Sequence, residues 1–252
     1  MKYIFLIDFN NWFEKKDLNQ YTEEGFQYRF SEILNTCIDI SEVSQNLYIE
    51  MRLYGGWYQE EVLTNQASIL YRFLSSFKFF PIIKNNKIIR GKIEVVDTLY
   101  NVPNYQWRNT LKEKSGMSYV KINNEKLNDT CSHNKTNCPP YILKRIAKNK
   151  TRKCAVEGCN SLNNEIFIKT EQKMVDTMIA CDLISYSMED DIFKVIIVSD
   201  DVDFFPALAV ASQNNTRFNK NCLYEVLIKN SRLELNYKNV LSNFSVNTIC
   251  YG

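Results

Sequence analysis

Two uninterrupted apolar runs in this chain end on acid. Residues 195–208, VIIVSDDVDFFPAL, are four β-branched apolar positions followed at once by Asp200, Asp201 and Asp203. Tyr3 to Ile7, YIFLI, is a second such run and leads into Asp8-Phe9-Asn10-Asn11. Runs without polar alternation are the pattern of strands buried on both faces of a parallel sheet. Between and after them the periodicity predicts a helix from Phe26 to about Cys37, a strand from Leu47 to Leu53, and a long helix from Glu60 to Phe79. That helix turns Val62, Leu63, Ile69, Leu70, Phe73 and Leu74 inward. After Pro81, residues 82–100 read as a hairpin or ribbon around KNNKIIRGK, Leu223 to Ile228 as a further buried strand, and Ser231 to Tyr237 as a capped helix start. The β-α-β-α alternation predicts an α/β fold with a mainly parallel sheet of about five strands. Its core spans 1–80 and 165–252, with an insert at 81–164.

In parallel sheets the ligand crevice lies at the carboxyl ends of the strands. If the two acid-tipped strands are adjacent, Asp8 meets Asp201 and Asp203 at one edge. Two carboxylates about 4 Å apart repel by roughly 4 kcal/mol at an effective dielectric near 20. A bound cation or a shared proton must offset that. Oxygen ligands without nearby His or Cys favour Mg²⁺ or Mn²⁺ over zinc. Residues 171–186, EQKMVDTMIACDLISY, carry Met174, Met178, Ile179 and Leu183 at helical spacing and add Asp176 in an early turn, where the helix dipole favours negative charge. Asp182 lies about 120° further round and cannot share that face. Asp176 is therefore the expected ligand and Asp182 the acid with a solvated or capping role.

Together these segments resemble the NYN domains of the PIN-like nuclease superfamily. DFNN resembles their D-x-x-N, KMVDTMIACDLI their K-G-V-D helix, and SDDVDFFP their S-G-D-x-D-F-x-P. The matching residues are Asp8 and Asn11, then Lys173, Asp176 and Asp182, then Ser199, Asp201, Asp203, Phe204 and Pro206. The likeness covers roughly 1–75 and 165–240. It implies a Rossmann-like, PIN-like three-layer fold and metal-dependent hydrolysis of RNA, with Asp8, Asn11, Asp176, Asp201 and Asp203 as catalytic residues and the four aspartates as Mg²⁺ or Mn²⁺ ligands. Phe9 and Asp200 stand where such domains usually have glycine. Phe9 narrows backbone access, and Asp200 is an extra ligand or points to solvent.

Clustered carboxylates suit phosphodiester hydrolysis, because the bound metal polarises the phosphoryl oxygen and activates water. The chain has one histidine, at 133, far in sequence from the acids, which disfavours a His-dependent triad. A phosphatase of the aspartyl-phosphate type also begins on a strand ending in Asp, but its usual second Asp is here Asn10. The apolar runs are too short for a membrane span and Asp8 interrupts the N-terminal one, so a cytoplasmic protein is expected. Its eight cysteines are then expected as thiols. With a formal net charge of only +2, nucleic acid must be captured by a local patch.

The insert holds the second constellation. Cys154-x₄-Cys159 and His133-x₄-Cys138 have spacings allowed for structural zinc, and Cys131 lies nearby. Cys138, Cys154 and Cys159 with either Cys131 or His133 would complete a tetrahedral Zn²⁺ site, which would give a polar insert its fold; alternatively these are ordinary thiols in a loop. Cys37, Cys181, Cys222 and Cys250 read as small buried hydrophobes. Lys144, Arg145, Lys148, Lys150, Arg152 and Lys153 form the chain's most basic stretch and fit phosphate contacts, or alternatively a solvated face. Pro139-Pro140 opens a short helix there. Lys84, Lys87, Arg90 and Lys92 extend the same surface. Tyr105 and Trp107 either stack unpaired bases or belong to the core. The expected function is a metal-dependent ribonuclease. The alternative is a catalytically inactive RNA-binding or assembly module of the same fold.

Overall fold

The computed structural model of the chain describes residues 1–13, 22–39, 46–84, 86–115, 136–148, 153, 158–162, 168–229 and 231–251. They fall into two compact units, Met1–Thr110 with Gln172–Gly252, and Leu111–Glu171. The first unit opens with β1 (Lys2–Asp8), the single-turn helix α1 (Phe9–Trp12), α2 (Glu23–Cys37) and β2 (Leu47–Tyr54). A small antiparallel pair, β3 (Tyr58–Gln59) and β4 (Val62–Leu63), precedes α3 (Asn65–Ser76). The hairpin β5 (Ile82–Lys84) and β6 (Lys87–Val95) is followed by a second, β7 (Thr98–Leu99) and β8 (Val102–Gln106). The second unit contains β9 (Leu111–Ser115), α4 (Pro139–Lys148) and β10 (Ile168–Gln172). The first unit resumes with α5 (Val175–Tyr186), β11 (Ile192–Val198), α6 (Phe205–Phe218), β12 (Leu223–Ile228), α7 (Ser231–Leu241) and β13 (Val246–Cys250).

Seven strands form one sheet in the order β13-β12-β11-β1-β2-β6-β5, parallel throughout except for β5 against β6. β1 is central because its apolar run can be buried on both faces. Tyr3, Phe5 and Ile7 enter one core with Phe26, Phe30 and Leu70 of α2 and α3. Ile4 and Leu6, half a pleat on, enter the opposite core with Ile179 and Leu183 of α5 and Leu208 of α6. Side chains alternate across a strand, so each strand here feeds two cores and helices cover both faces.

β2 alternates differently. Leu47, Ile49, Met51 and Leu53 face the first core, whereas Glu50, Arg52 and Tyr54 face α5 and are buried. The Arg52 guanidinium donates to Asp182 Oδ2 at 3.0 Å and to the Thr98 carbonyl at 3.1 Å, and it also pairs with Glu94. Tyr54 Oη donates to the same Asp182 oxygen at 2.6 Å, and the Tyr100 amide donates to the other at 2.7 Å. Asp182 is wholly buried, so the solvated or capping role expected from its helix position is corrected. Burial raises its carboxyl above the ordinary range, and the Arg52, Tyr54 and Tyr100 donors offset only part of this.

Other expectations are corrected too. The long helix starts only at Asn65, after a Thr64 cap whose Oγ1 accepts from the Ala67 amide, and ends at Ser76. Val62 and Leu63 lie ahead of it in β4 and are exposed, not inward. The chain turns at Glu60, which adopts a left-handed φ of 56°, and so cannot begin a helix there. The sheet has seven strands and not about five, because the hairpin after Pro81 contributes β5 and β6 and because β13 closes the far edge. The compact units divide at Thr110, after the expected start of the insert at 81. Cys37 and Cys222 are buried as expected, but Cys181 is exposed, since it sits beside the inward Asp182 on the outer side of α5. No helix among the described residues is long and apolar enough to cross a membrane.

Removing one partner of a buried ion pair strands the other charge. Arg52→Ala is therefore expected to lower the unfolding free energy by about 3–5 kcal/mol. Replacing Arg52 and Asp182 together by apolar residues should cost less than the sum of the single changes. Urea denaturation of the three variants measures both values.

Candidate metal centre

The register Ile7↔Val198 sets the carboxyl ends of β1 and β11 side by side. Asp8 ends β1 and caps α1: its Oδ1 accepts from the Asn11 amide at 3.2 Å. Its Oδ2 accepts from the Ser199 hydroxyl at 3.3 Å, and the same hydroxyl accepts from the Asp201 amide at 3.1 Å. Ser199 thus bridges the two acid-tipped strand ends. Asp201 in turn folds the loop before α6, with its Oδ1 accepting from the amides of Val202 at 2.6 Å and Asp203 at 3.2 Å. Asp176 enters from the first turn of α5, which starts just after Met174 in a left-handed conformation.

One ligand oxygen from each of Asp176, Asp201 and Asp203 lies within 4.8 Å of the others. Trans ligands around a Mg²⁺ ion are about 4.2 Å apart, given bond lengths near 2.1 Å, so small side-chain rotations adapt this set to one hard cation. The donors are all carboxylate oxygens, which suits Mg²⁺ or Mn²⁺. Asp8 is not within that triangle but feels it electrostatically. Burial, together with the charges of Asp176 and Asp201, pushes its carboxyl up to about 6, against the lowering effect of the Asn11 and Ser199 hydrogen bonds. Asp176 is also raised, first by burial and then by Asp201 and Asp203. Burial is the largest cause of both shifts, and repulsion among neighbouring carboxylates adds to it.

Asn11 supports the crevice through its side chain, whose Oδ1 accepts from the Asp200 amide at 3.1 Å. Asp200 is corrected from an extra ligand or solvent-facing acid to a latch. Its Oδ1 accepts from the Lys229 amide at 2.7 Å, and its carbonyl accepts from Tyr237 Oη at 2.6 Å. Phe9 does not narrow the crevice by crowding it. Its ring is fully buried, 4.5 Å from Phe13 and 5.3 Å from Trp57. Asn10, the position of a phosphatase's second acid, accepts instead from Gln66 of α3 at 2.9 Å.

Lys229 was missed by sequence reasoning. Its ammonium reaches the carbonyls of Trp12 and Asn11 and lies 5.0 Å from the Trp12 ring, so it ties the end of β12 to α1. A lysine directly after an apolar strand was the available signal. Of the basic residues, Lys92 is drawn to Glu50 at 3.1 Å and Glu94 at 2.7 Å, and Lys84 donates to Asn35, so these two serve the fold. Arg145 donates to the Thr136 carbonyl, and Lys153 is exposed. Cys138 is buried and Cys159 partly buried. Cys131, His133, Cys154, Lys150 and Arg152 lie outside the described residues, as does the Lys148 side chain.

A carboxyl raised from 3.8 to about 6 binds its proton more tightly in the folded chain. The metal-free protein therefore loses stability as pH rises from about 4 to 6, because the proton must leave a site that disfavours the charge. Asp8→Asn has no proton to lose. Its stability relative to wild type is expected to grow by about 2 kcal/mol between pH 4 and 7, most of the full linkage at 1.36 kcal/mol per pKa unit. Urea titrations in EDTA at several pH values measure this, and adding Mg²⁺ or Mn²⁺ at pH 7 should recover wild-type stability.

No protein-family profile, curated protein or solved structure matches this chain.

Proposed function

We propose that this chain is a metal-dependent ribonuclease of the NYN type with a PIN-like fold, hydrolysing RNA phosphodiester bonds at the crevice of Asp8, Asp176, Asp201 and Asp203. The observation that carries this reading is the convergence of the Asp176, Asp201 and Asp203 oxygens within 4.8 Å, beside a buried Asp8. These side chains come from three separate elements, and a bound cation would relieve the repulsion among them. Mg²⁺ or Mn²⁺ held there would supply Lewis-acid stabilisation of phosphoryl charge and a nucleophilic water. Asp176, Asp201 and Asp203 would hold the ion. Asp8, fixed by Asn11 and Ser199 beside those acids, is positioned to accept a proton from water.

The inactive-module reading rested on Phe9 and Asp200. Phe9 is absorbed by the core and Asp200 by Lys229 and Tyr237, so neither obstructs the crevice, and the enzyme is favoured. Asp201→Asn or Asp8→Asn is expected to reduce Mg²⁺- or Mn²⁺-dependent cleavage of RNA by at least about a hundredfold while leaving the fold intact. Single-turnover assays on a labelled oligoribonucleotide test this. Undiminished cleavage by either variant would overturn the assignment.

We also propose a structural zinc in the second unit, on the cysteine spacing alone. Elemental analysis should find about one zinc per chain, lost when Cys154 and Cys159 are replaced by Ser. Absence of zinc from the purified protein would leave these residues as ordinary thiols.

A further inference from the structure

On the first unit, Glu61, Asn104, Tyr105, Gln106, Arg108 and Asn109 line an open cleft of about 440 Å³, within the size range of small-molecule sites. Its polar groups are fixed by one relay. The Asp97 carboxylate accepts from Tyr58 Oη at 3.5 Å, Tyr71 Oη at 3.3 Å and the Gln106 amide at 3.1 Å. Gln106 Oε1 accepts from Arg108 at 2.9 Å, and Arg108 pairs with Glu61. The guanidinium also lies 5.7 Å from the Tyr58 ring. At the rim, Asn109 and Glu60 are both left-handed, at φ 66° and 56°, and the Asn109 amide donates to the Glu60 carbonyl at 3.2 Å. Non-glycine residues held in that region cost energy and concentrate at functional sites.

Three groups in the cleft are left for a ligand. The side-chain amides of Asn104 and Asn109 make no hydrogen bond among the described residues. The Tyr105 ring is 58 % exposed, supported edge-on by Trp107 at 5.0 Å. The one cation, Arg108, is already matched by Glu61, so the cleft is not an anion site and does not suit phosphate. An exposed ring with flanking planar amides and a guanidinium suits a planar heterocycle with donors and acceptors on its edge, which describes an unpaired nucleobase.

The topology adds a reason. Ile7 of β1 and Val95 of β6 both pair with Leu53 of β2. Asp97, the anchor of the relay, therefore emerges at the same sheet edge as Asp8, two strands away and roughly 10 Å to the side. We propose that this cleft binds one unpaired base of a single-stranded nucleic acid and so positions the adjoining backbone toward the acidic crevice. The positioning half of this inference rests on the ribonuclease reading, while the base-binding half does not.

The test is run on the full chain in EDTA, so that it is independent of cleavage. A single-stranded oligoribonucleotide is titrated while tryptophan fluorescence is followed. Trp12 and Trp57 are buried, so Trp107 is the expected reporter, and Trp107→Phe should abolish the response. Tyr105→Ala should weaken binding about tenfold, Tyr105→Phe should retain it, and neither should change the salt slope, because no phosphate contact is lost. A fully paired duplex of the same sequence should not compete. Equal affinity of the Tyr105→Ala and wild-type proteins, or equal binding of the duplex, overturns the proposal. A wild type that binds through Tyr105 yet cleaves nothing with Mg²⁺ or Mn²⁺ would leave the base cleft standing and remove the ribonuclease reading alone.

Discussion

The parallel pairing of β1 with β11 is the constraint on which the site depends. Ile4 to Ile7 and Val195 to Val198 are paired one to one and wholly buried, so a slip of a single residue would turn every side chain to the other face. Hydrophobic burial therefore fixes the register, and the register delivers Asp8 and the Ser199–Asp203 loop to neighbouring positions at one edge. The cost of bringing like charges together is borne by the apolar strands behind them.

The third acid is held by a different device. Asp176 stands in the first turn of α5, and Asp182, six residues on, is locked to Arg52 and Tyr54 of β2. A helix packed by apolar contacts alone can rotate or slide by small amounts at little cost. A buried carboxylate with donors from Arg52, Tyr54 and the Tyr100 amide cannot, since any shift strands a charge away from water. The ion pair thus contributes orientation more than net stability. Arg52 also reaches Thr98 at the start of the β7–β8 hairpin, so the same guanidinium braces the helix that carries Asp176 and the hairpin that carries the base cleft.

Local polar bonds then tune the crevice. Ser199 joins Asp8 to Asp201, Asn11 joins Asp8 to the Asp200 amide, and Lys229 joins β12 to the turn after β1. These contacts restrict the acids without neutralising them, and Asp8 keeps a carboxyl near 6.

The α/β class, the central strands, α2 and the acids at the strand ends were legible in the sequence, because an unbroken apolar run ending in Asp allows few other placements. Periodicity also located the strand Leu223–Ile228 and, in part, α5, which starts at Val175 and not at 171 because Glu171 and Gln172 belong to β10 and Met174 is left-handed. What the sequence left open was decided by contacts distant along the chain. Asp182 and Arg52 are 130 residues apart, and no local pattern links them, although Glu50 and Arg52 on alternate positions of an apolar strand hinted at a buried polar face. Asp200 and Lys229 were likewise indistinguishable from solvated charges until β12 was set beside β11. The start of α3 was misread because Val62 and Leu63 fit helical spacing equally well, and only the turn at Glu60 and the Thr64 cap separate them from the helix. Periodicity reports which face is buried within one element. Which buried charge meets which is fixed only when the elements pack, since pairing energy depends on distance in space and not along the chain.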